Sequence, residues 1–224
     1  MNKSNKTAVV TGVSSGIGLA LVKKLLSEHY HVIGTTRTGT LAEISHESLE
    51  IVKLDITNND SLKKAVDFLN AHTNKIDLLI NNAGIAPDIF AIEPQLEAFN
   101  LTITTNVTGS VFFTEPLLDK VNDGAQIIFI SSNMGLVRNA DVNGSAYRMS
   151  KAAINMYAAI LSRRLQARSI GVMPIHPGWV QTKLGGDEAP LTAEMAANNI
   201  YQAILAGMES GRFYNSALGA LEDY

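Results

Sequence analysis

The stretch TAVVTGVSSGIG, residues 7–18, runs from an apolar segment through three glycines into a segment with helical spacing. The apolar run predicts a buried strand, and Ile17, Leu21 and Leu25 recur along one face of the helix that follows it. Glycines at such a junction let the chain turn tightly and let a ligand approach the backbone. The first amides of a helix have no partner within it and carry the positive end of its dipole. The junction is therefore suited to binding a phosphate.

The alternation of apolar strands and amphipathic helices continues along the chain. Strands are predicted near residues 7–11, 31–36, 50–54, 77–81, 126–131, 170–176 and 212–214. Helices are predicted between them, one capped by Asn58 or Asn59 and a long one over 145–168. Uninterrupted apolar runs are typical of parallel strands covered on both faces. We therefore expect an α/β fold of one domain over residues 1–224, a doubly wound Rossmann fold with a mainly parallel seven-stranded sheet. Pro174 lacks an amide and predicts a bulge or an irregular end in the sixth strand.

The composition restricts the classes of partner. The chain has 18 lysines and arginines against 21 aspartates and glutamates, a net charge of −3, and no long basic run. Nucleic acid and a membrane surface are therefore not expected as partners. With no cysteine there is no disulfide and no thiolate metal site, and we predict no metal. Since the chain opens on an apolar strand instead of a signal peptide, we expect a cytoplasmic protein.

The glycine turn has the spacing Gly-x-x-x-Gly-x-Gly, which differs from the general dinucleotide fingerprint Gly-x-Gly-x-x-Gly. Two serines within it are possible hydroxyl donors to a phosphate. A turn that merely joins strand to helix is the alternative. If the turn binds a dinucleotide, the site includes Gly12, Ser14, Ser15, Gly16, Ile17 and Gly18.

Three further motifs follow in order: NNAG at 81–84, YRMSK at 147–151 and HPGWVQT at 176–182. Together with the glycine turn they resemble the short-chain dehydrogenase/reductase family over nearly the whole chain. The stretches NNAGIAP, AYRMSK and HPGWVQTKLGGDEAPLT are similar to the subgroup of C-factor and sniffer-type carbonyl reductases. The resemblance implies a Rossmann-fold oxidoreductase that transfers a hydride between a nicotinamide and a carbonyl or alcohol carbon.

The end of the second predicted strand, VIGTTRT, bears on the choice of cofactor. An NAD enzyme needs a carboxylate there for the ribose 2'-hydroxyl, whereas an NADP enzyme needs a cation for the 2'-phosphate. No acid is present, and Arg37 could bind the phosphate in a bidentate manner with help from Thr36 or Thr38. We predict that NADP(H) is preferred and that NAD(H) is possible. A solvated loop arginine is the alternative.

The resemblance implies further cofactor contacts. Asp55 and Ile56 match the family position where an acid and the next amide hold the adenine edge, although Asp55 could equally be a helix cap. Asn82 would buttress the sheet and Gly84 would leave room for the ribose. In the Pro-Gly element, Val180 and Thr182 would contact the carboxamide of the nicotinamide. The residues assigned to the cofactor by these two motifs are Asn82, Ala83, Gly84, Pro177, Gly178, Val180 and Thr182.

Tyr147 and Lys151 are i and i+4 neighbours on the long predicted helix. A free tyrosine has a pKa of about 10, and an ammonium group or a positive nicotinamide beside it would stabilise the phenolate. We therefore predict Tyr147 as the acid and base of the reaction and also, with Lys151, as part of the cofactor site. Such a spacing also arises by chance on helix surfaces.

The family resemblance implies two more catalytic residues. Ser132 would hydrogen-bond the substrate oxygen, with Ser131 as its rival because successive strand residues face opposite sides. Asn106 would hold a water chain leading to Lys151. The predicted tetrad is therefore Asn106, Ser132, Tyr147 and Lys151.

The substrate pocket is predicted from residues next to these motifs. Ser132, Met134 and Trp179, with Ile85, favour a small, largely apolar carbonyl or alcohol substrate, although core packing is the alternative for Trp179. An inward Arg138 would contradict an apolar pocket. His176 is interpreted as a packed or capping histidine.

Two other aspects of function stay open in the sequence. An NADP(H)-binding redox sensor or signalling protein of the same fold is the alternative function. The long helix has more apolar residues than one buried stripe needs, which predicts a homodimer or homotetramer. These residues are Ala152, Ala153, Ile154, Met156, Ala159 and Ile160.

Overall fold

A twisted sheet with helices on both faces forms the centre of the protein. The computed structural model describes residues 6–73, 75–207 and 209–224. The strands are β1 (Thr7–Val10), β2 (His31–Thr36), β3 (Leu49–Lys53), β4 (Ile76–Asn81), β5 (Val121–Ile130), β6 (Gly171–His176), β7 (Phe213–Asn215) and β8 (Ala220–Glu222). The helices are α1 (Gly16–Ser27), α2 (Asn59–His72), α3 (Leu96–Ile103), α4 (Ser110–Thr114), α5 (Ser145–Arg164) and α6 (Ala193–Ala206).

The strand order is β3-β2-β1-β4-β5-β6-β7-β8. All neighbouring strands are parallel except β7 and β8, which are antiparallel. Because β1 pairs with β2 on one side and β4 on the other, the order of the chain reverses there. In doubly wound sheets, ligands bind at the carboxyl ends of the strands beside such a reversal.

Two apolar layers cover the sheet because alternate strand residues point to opposite faces. Val10 packs with Leu21 of α1 and Ile200 of α6 on one face. Val9 on the other face shares a cluster with Phe113 of α4 and Ile154 of α5. This arrangement confirms the predicted Rossmann-like α/β class.

The structure differs from the prediction in the number and length of elements. The described residues form eight strands, because 220–222 pair with β7 although they form no apolar run. The long helix predicted over 145–168 is α5, which ends at Arg164; a short 3-10 turn follows it, and Ser169 after that turn takes a left-handed φ of +54°. The predicted bulge at Pro174 is wrong: the β5 register runs through Phe129↔Pro174 without a shift. The ladder with β7 begins only after the proline, so β7 requires no amide from it.

A π-helical segment, Thr104–Gly109, joins α3 to α4 without leaving right-handed helical backbone angles. Such wide turns occur frequently at functional sites. Among the helices described here, none has the length and apolar character to span a bilayer.

Candidate functional site

The glycine turn between β1 and α1 leaves room for a ligand against the backbone. Gly12 and Gly16 have left-handed φ values of +71° and +57°, which side chains disfavour. A Cβ on Gly18 would lie 2.3 Å from the Gly12 carbonyl oxygen. No side-chain hydrogen bond caps α1 at Ser15, and Ser14 and Ser15 are exposed. The turn therefore presents the positive end of a helix and two hydroxyls, a combination that suits a phosphate.

The NNAG segment after β4 is fixed to this turn by Thr11. The Thr11 hydroxyl accepts hydrogen bonds from the amides of Asn82 and Ala83, each at 3.0 Å. Asn82 Nδ2 donates to the carbonyls of Thr11 at 2.8 Å and Gly12 at 3.0 Å. Asn82 therefore supports two strand ends, as the family resemblance implied. Sequence reasoning missed Thr11, whose signal was a hydroxyl directly before Gly12.

Two of the assigned residues contribute apolar packing. Ile17 packs against the cluster under α1. Ile56 is buried, and a Cβ on Gly109 would lie 2.6 Å from its backbone oxygen and from its side chain. A cofactor would therefore meet Ile56 through the backbone.

The loop after β2 exposes Arg37. The Thr36 hydroxyl accepts from the Gly39 amide at 3.0 Å and donates to the Thr40 carbonyl at 3.1 Å. This hydroxyl closes the loop, and a contact of Thr36 or Thr38 with a phosphate stays a prediction. The Thr38 hydroxyl is exposed and lies 3.1 Å from the Thr40 hydroxyl.

Asp55 lies two residues after β3, close enough to Arg37 for their charges to interact. The Thr57 hydroxyl and amide donate to its carboxylate at 2.7 and 3.0 Å. These bonds lower the pKa of Asp55, burial opposes the shift, and the charge of Arg37 lowers the pKa further. Asn58 caps α2, accepting an amide of the first turn at 2.9 Å. The alternative that Asp55 caps the helix is therefore wrong.

The Pro-Gly element after β6 returns to the glycine turn. Pro177 is buried, and Gly178 has a φ of +91°. A Cβ on Gly178 would lie 2.5 Å from a neighbouring leucine. Val180 is buried, and the Thr182 hydroxyl donates to its carbonyl at 3.3 Å. The Thr182 methyl lies 3.1 Å from the position of a Cβ on Gly16, so this element and the glycine turn border the same space.

Tyr147, Lys151 and Ser132 meet at the carboxyl edge of the sheet. Their exposed fractions are 7%, 5% and 6%. Lys151 Nζ donates to the Ile130 carbonyl at 2.8 Å and lies 5.5 Å from the centroid of the Tyr147 ring. A Cβ on Gly135 would lie 2.7 Å from Lys151 Cβ. The turn after Ser132 packs this closely on α5 because residue 135 is a glycine.

Burial controls the protonation of this pair. It raises the pKa of Tyr147 to about 12, and a hydrogen bond with Ser132 opposes the shift. It lowers the pKa of Lys151 to about 8. The expectation that Lys151 brings the pKa of Tyr147 below its ordinary value is therefore wrong for the protein alone. The cation is bound to the Ile130 carbonyl instead of the phenol.

The structure separates the two adjacent serines. The Ser131 hydroxyl donates to Asn155 Oδ1 at 2.6 Å, inside the packing between β5 and α5. The Ser132 oxygen accepts from the Met134 amide at 3.1 Å and lies beside the Tyr147 phenol. Because successive strand side chains point to opposite sides, only Ser132 shares the space in front of the phenol.

Asn106 lies in the π-helical segment and is 2% exposed. Its side chain accepts from the Ile85 amide at 2.8 Å and donates to the Ile85 carbonyl at 2.8 Å and the Ser150 hydroxyl at 3.0 Å. A Cβ on Gly84 would lie 3.4 Å from Asn106 Oδ1 and 3.5 Å from Lys151 Nζ. Asn106 thus lies near the lysine, but both amide protons of its side chain are already used by protein acceptors. A water chain toward Lys151 stays a prediction.

A carboxylate that the sequence analysis missed lies at the start of α5. Asp88 is 4% exposed, and its Oδ2 accepts from the amides of Ala146 at 2.7 Å and Tyr147 at 3.4 Å. The available signal was an acid soon after the NNAG motif. Its partner lies 58 residues further along the chain, beyond the reach of a local pattern.

Arg138, in the segment 133–144, is paired with an acid of β8. Arg138 is bound to the Glu222 carboxylate of β8 and to a carbonyl beyond it. Arg148 of α5 holds the same segment, donating to the Asn139 carbonyl at 2.7 Å. Since its charge is paired with β8, Arg138 gives no reason to expect a charged substrate.

Two residues assigned to the substrate pocket lie in different surroundings. Met134 is half-buried, two residues after Ser132. Trp179 is 55% exposed, and its Nε1 donates to the Gly185 carbonyl at 2.7 Å. Core packing is therefore the wrong alternative for Trp179, whereas its contact with a substrate stays a prediction.

His176 is packed in the protein and gives it a testable acid sensitivity. Burial lowers its pKa to about 4 from an ordinary value of 6.5, and the Glu222 carboxylate opposes the shift. Between these values the unfolded chain binds a proton that the folded chain does not. The part of the unfolding free energy that depends on a neutral His176 is therefore fully present above pH 6.5 and is lost as the pH falls toward 4. The shift corresponds to about 3 kcal/mol of unfolding free energy.

We expect His176→Gln to lose less stability on acidification than the wild type between pH 6.5 and 4. Urea unfolding at several pH values would measure this slope. The exposed His31→Gln is the control and should retain the wild-type slope. If the unfolding free energy of His176→Gln fell with pH as steeply as that of the wild type, the lowered pKa of His176 would be contradicted.

Comparison with known proteins shows which family the chain is similar to. The model of the short chain dehydrogenase family matches residues 6–190. The C-signal protein of Myxococcus xanthus is 36% identical over 152 residues, which cover 65% of this chain and 92% of that protein.

Solved structures of carbonyl reductases have the same fold. The NADPH-bound carbonyl reductase from chicken fatty liver aligns with a TM-score of 0.88 at 27% identity, covering 98% of this chain and 94% of that chain. The carbonyl reductase Sniffer of D. melanogaster aligns with a TM-score of 0.87 at 29% identity, covering 98% of this chain and 100% of that chain. These relatives confirm the resemblance to the C-factor and sniffer-type subgroup. With its glycine turn, NNAG segment and Tyr147–Lys151 pair in one fold, the chain belongs to the short-chain dehydrogenase family.

Proposed function

We propose that this protein is an NADP(H)-dependent oxidoreductase that transfers a hydride between the nicotinamide and a carbonyl or alcohol carbon of a small, largely apolar substrate. The observation that carries the proposal is the buried meeting of Tyr147, Lys151 and Ser132 beside the glycine turn. The carbonyl reductase from chicken fatty liver, which shares the fold, was solved with NADPH bound.

The residues present fit such a cofactor. The glycine turn, where a Cβ on Gly18 would collide with the backbone, accepts the pyrophosphate at the start of α1. Arg37 would pair with the 2'-phosphate, and Asp55 would hold the adenine edge. Thr182, in the element after β6, borders the same space, and together with Val180 it would hold the carboxamide. When bound, NADPH supplies the hydride, and its oxidised form has a positively charged ring.

The proton is the protein's own contribution. With its pKa raised to about 12, Tyr147 stays protonated at neutral pH and therefore has a proton that it could donate to the substrate oxygen. Ser132 would hydrogen-bond the same oxygen and stabilise the charge that develops there. The phenolate left behind needs positive charge, and Lys151, with a pKa of about 8, is largely protonated at neutral pH. In the oxidative direction the phenolate would accept the proton.

An apolar substrate agrees with the exposed side chains of two segments next to the start of α5. These segments expose Phe90 at 85%, Ile92 at 69%, Val137 at 83% and Val142 at 70%. These segments meet where the Gly144 amide donates to the Ala91 carbonyl at 3.0 Å. Their exposed apolar surface suits an aldehyde, a ketone or a quinone.

The proposal is tested by titrating the purified protein with NADPH and NADH and then adding a panel of aldehydes, ketones and quinones. Oxidation of NADPH, followed by absorbance, is the expected result. Tight binding of NADPH without turnover of any compound would favour the redox-sensor alternative.

We also propose a homodimer or homotetramer through the exposed face of α5. Met149, Met156 and Ile160 lie on one side of this helix with exposed fractions of 55%, 63% and 48%. Phe112 of α4 is 59% exposed. Apolar side chains grouped in this way are typical of subunit contacts.

We expect the wild-type protein to sediment as a dimer or tetramer and Met156→Lys to shift it toward the monomer, because a buried ammonium has no partner there. Analytical ultracentrifugation measures the assembly state of the wild type and of the variant. Leu205→Lys, at an exposed position on α6, is the control and should leave the assembly unchanged. A monomeric wild type would refute the proposal.

A further inference from the structure

The helix that contains Tyr147 has no side chain of its own at its N-cap. The N-cap is Gly144, with a left-handed φ of +66°, and Ser145 begins α5. The amides of a first helical turn have no partner inside the helix. Tyr147 lies in this turn, so the position of its ring depends on how the turn is held.

Asp88 supplies the missing acceptor from a distant part of the chain. Its Oδ2 accepts from the amides of Ala146 at 2.7 Å and Tyr147 at 3.4 Å. The side chain is 4% exposed, and Oδ1 is buried with no hydrogen-bond partner in the described chain. A negative carboxylate at this end also interacts favourably with the helix dipole.

The segment that holds Asp88 is itself fixed at two places. Asn106 binds both the amide and the carbonyl of Ile85 at 2.8 Å. The Gly144 amide donates to the Ala91 carbonyl at 3.0 Å. Segment 85–91 is thus held by the π-helical segment and by the start of α5. Movement of Asp88 relative to Tyr147 is restricted from both sides.

We propose that Asp88 is a positioning residue. By fixing the first turn of α5, it aligns the Tyr147 phenol with the NNAG segment of the cofactor site. Its side chain is buried against the amides of α5, and we infer that it acts through the helix. Its kinetic consequence rests on the proposed oxidoreductase function. Its structural consequence for Tyr147 can be measured without any substrate.

Asp88→Ala should lower kcat about tenfold or more while the Kd for NADPH changes less than about twofold, because a misplaced acid slows proton transfer without weakening cofactor binding. Asp88→Asn keeps an acceptor oxygen and should retain kcat within about threefold of the wild type. Asn58→Ala removes the cap of α2 and is the matched control. Both Ala variants should lower the Tm by about 3 °C, whereas only Asp88→Ala should lower kcat.

A second readout follows the phenol directly. In protein with ¹³C-labelled tyrosine, the signal lost in Tyr147→Phe identifies Tyr147. This signal should shift in Asp88→Ala and stay in place in Asn58→Ala. An unshifted signal, or an equal loss of kcat in both Ala variants, would overturn the inference. Absence of turnover in the wild type would instead refute the proposed function, and the tyrosine signal would still decide the role of Asp88.

Discussion

Replacing Tyr147 by Phe should lower kcat for carbonyl reduction about 1000-fold and leave the Kd for NADPH within about twofold of the wild type. The substitution removes one hydroxyl from a ring that is 7% exposed, so the packing of α5 is preserved. What it removes is the proton that we propose to be transferred to the substrate oxygen. Stopped-flow absorbance of NADPH measures kcat, and a separate fluorescence titration measures the Kd for NADPH.

Tyr157→Phe is the matched control on the same helix. The Tyr157 hydroxyl donates to Glu115 at 2.8 Å, away from Ser132 and Lys151. We expect this variant to retain nearly all activity. Activity of Tyr147→Phe close to that of the wild type would eliminate the phenol as the proton donor. An equal loss in both variants would indicate general damage to α5.

The second large effect concerns the choice of cofactor. Arg37→Ala should weaken binding of NADPH about 100-fold, equivalent to about 3 kcal/mol, because a bidentate pair with a phosphate is lost. Binding of NADH should change less than about twofold, since it has no 2'-phosphate. Fluorescence titration with both cofactors measures the difference, at low and at moderate salt because surface charge pairs are screened.

Arg163→Ala is the control for the cofactor experiment, since Arg163 is also an exposed arginine but lies near the end of α5. We expect it to leave both dissociation constants unchanged. Equal losses of affinity for NADPH and NADH in Arg37→Ala would contradict the phosphate contact. They would indicate instead that the loop after β2 had been disturbed.

Local sequence patterns were sufficient for the class of fold and for the main motifs. Buried parallel strands need uninterrupted apolar runs, and the turn after β1 needs glycine where φ is positive, as at Gly12 and Gly16. Both requirements act over a few neighbouring residues, so they can be read from the chain alone. The i,i+4 spacing of Tyr147 and Lys151 likewise predicted that the two side chains would share one face of a helix.

Tertiary structure decided the features that depend on residues far apart in sequence. β8 forms because β7 offers it an edge, although 220–222 form no apolar run. The charge of Arg138 is paired with Glu222, 84 residues later. The first turn of α5 is capped by Asp88, 58 residues before its partner.

The electrostatics of the site also come from the three-dimensional packing. The charge on Lys151 was expected to lower the pKa of Tyr147, but burial raises it to about 12. Spacing along a helix determines which side chains are neighbours. The cost of ionising them depends on how much water the surrounding elements exclude, and only the folded chain specifies that.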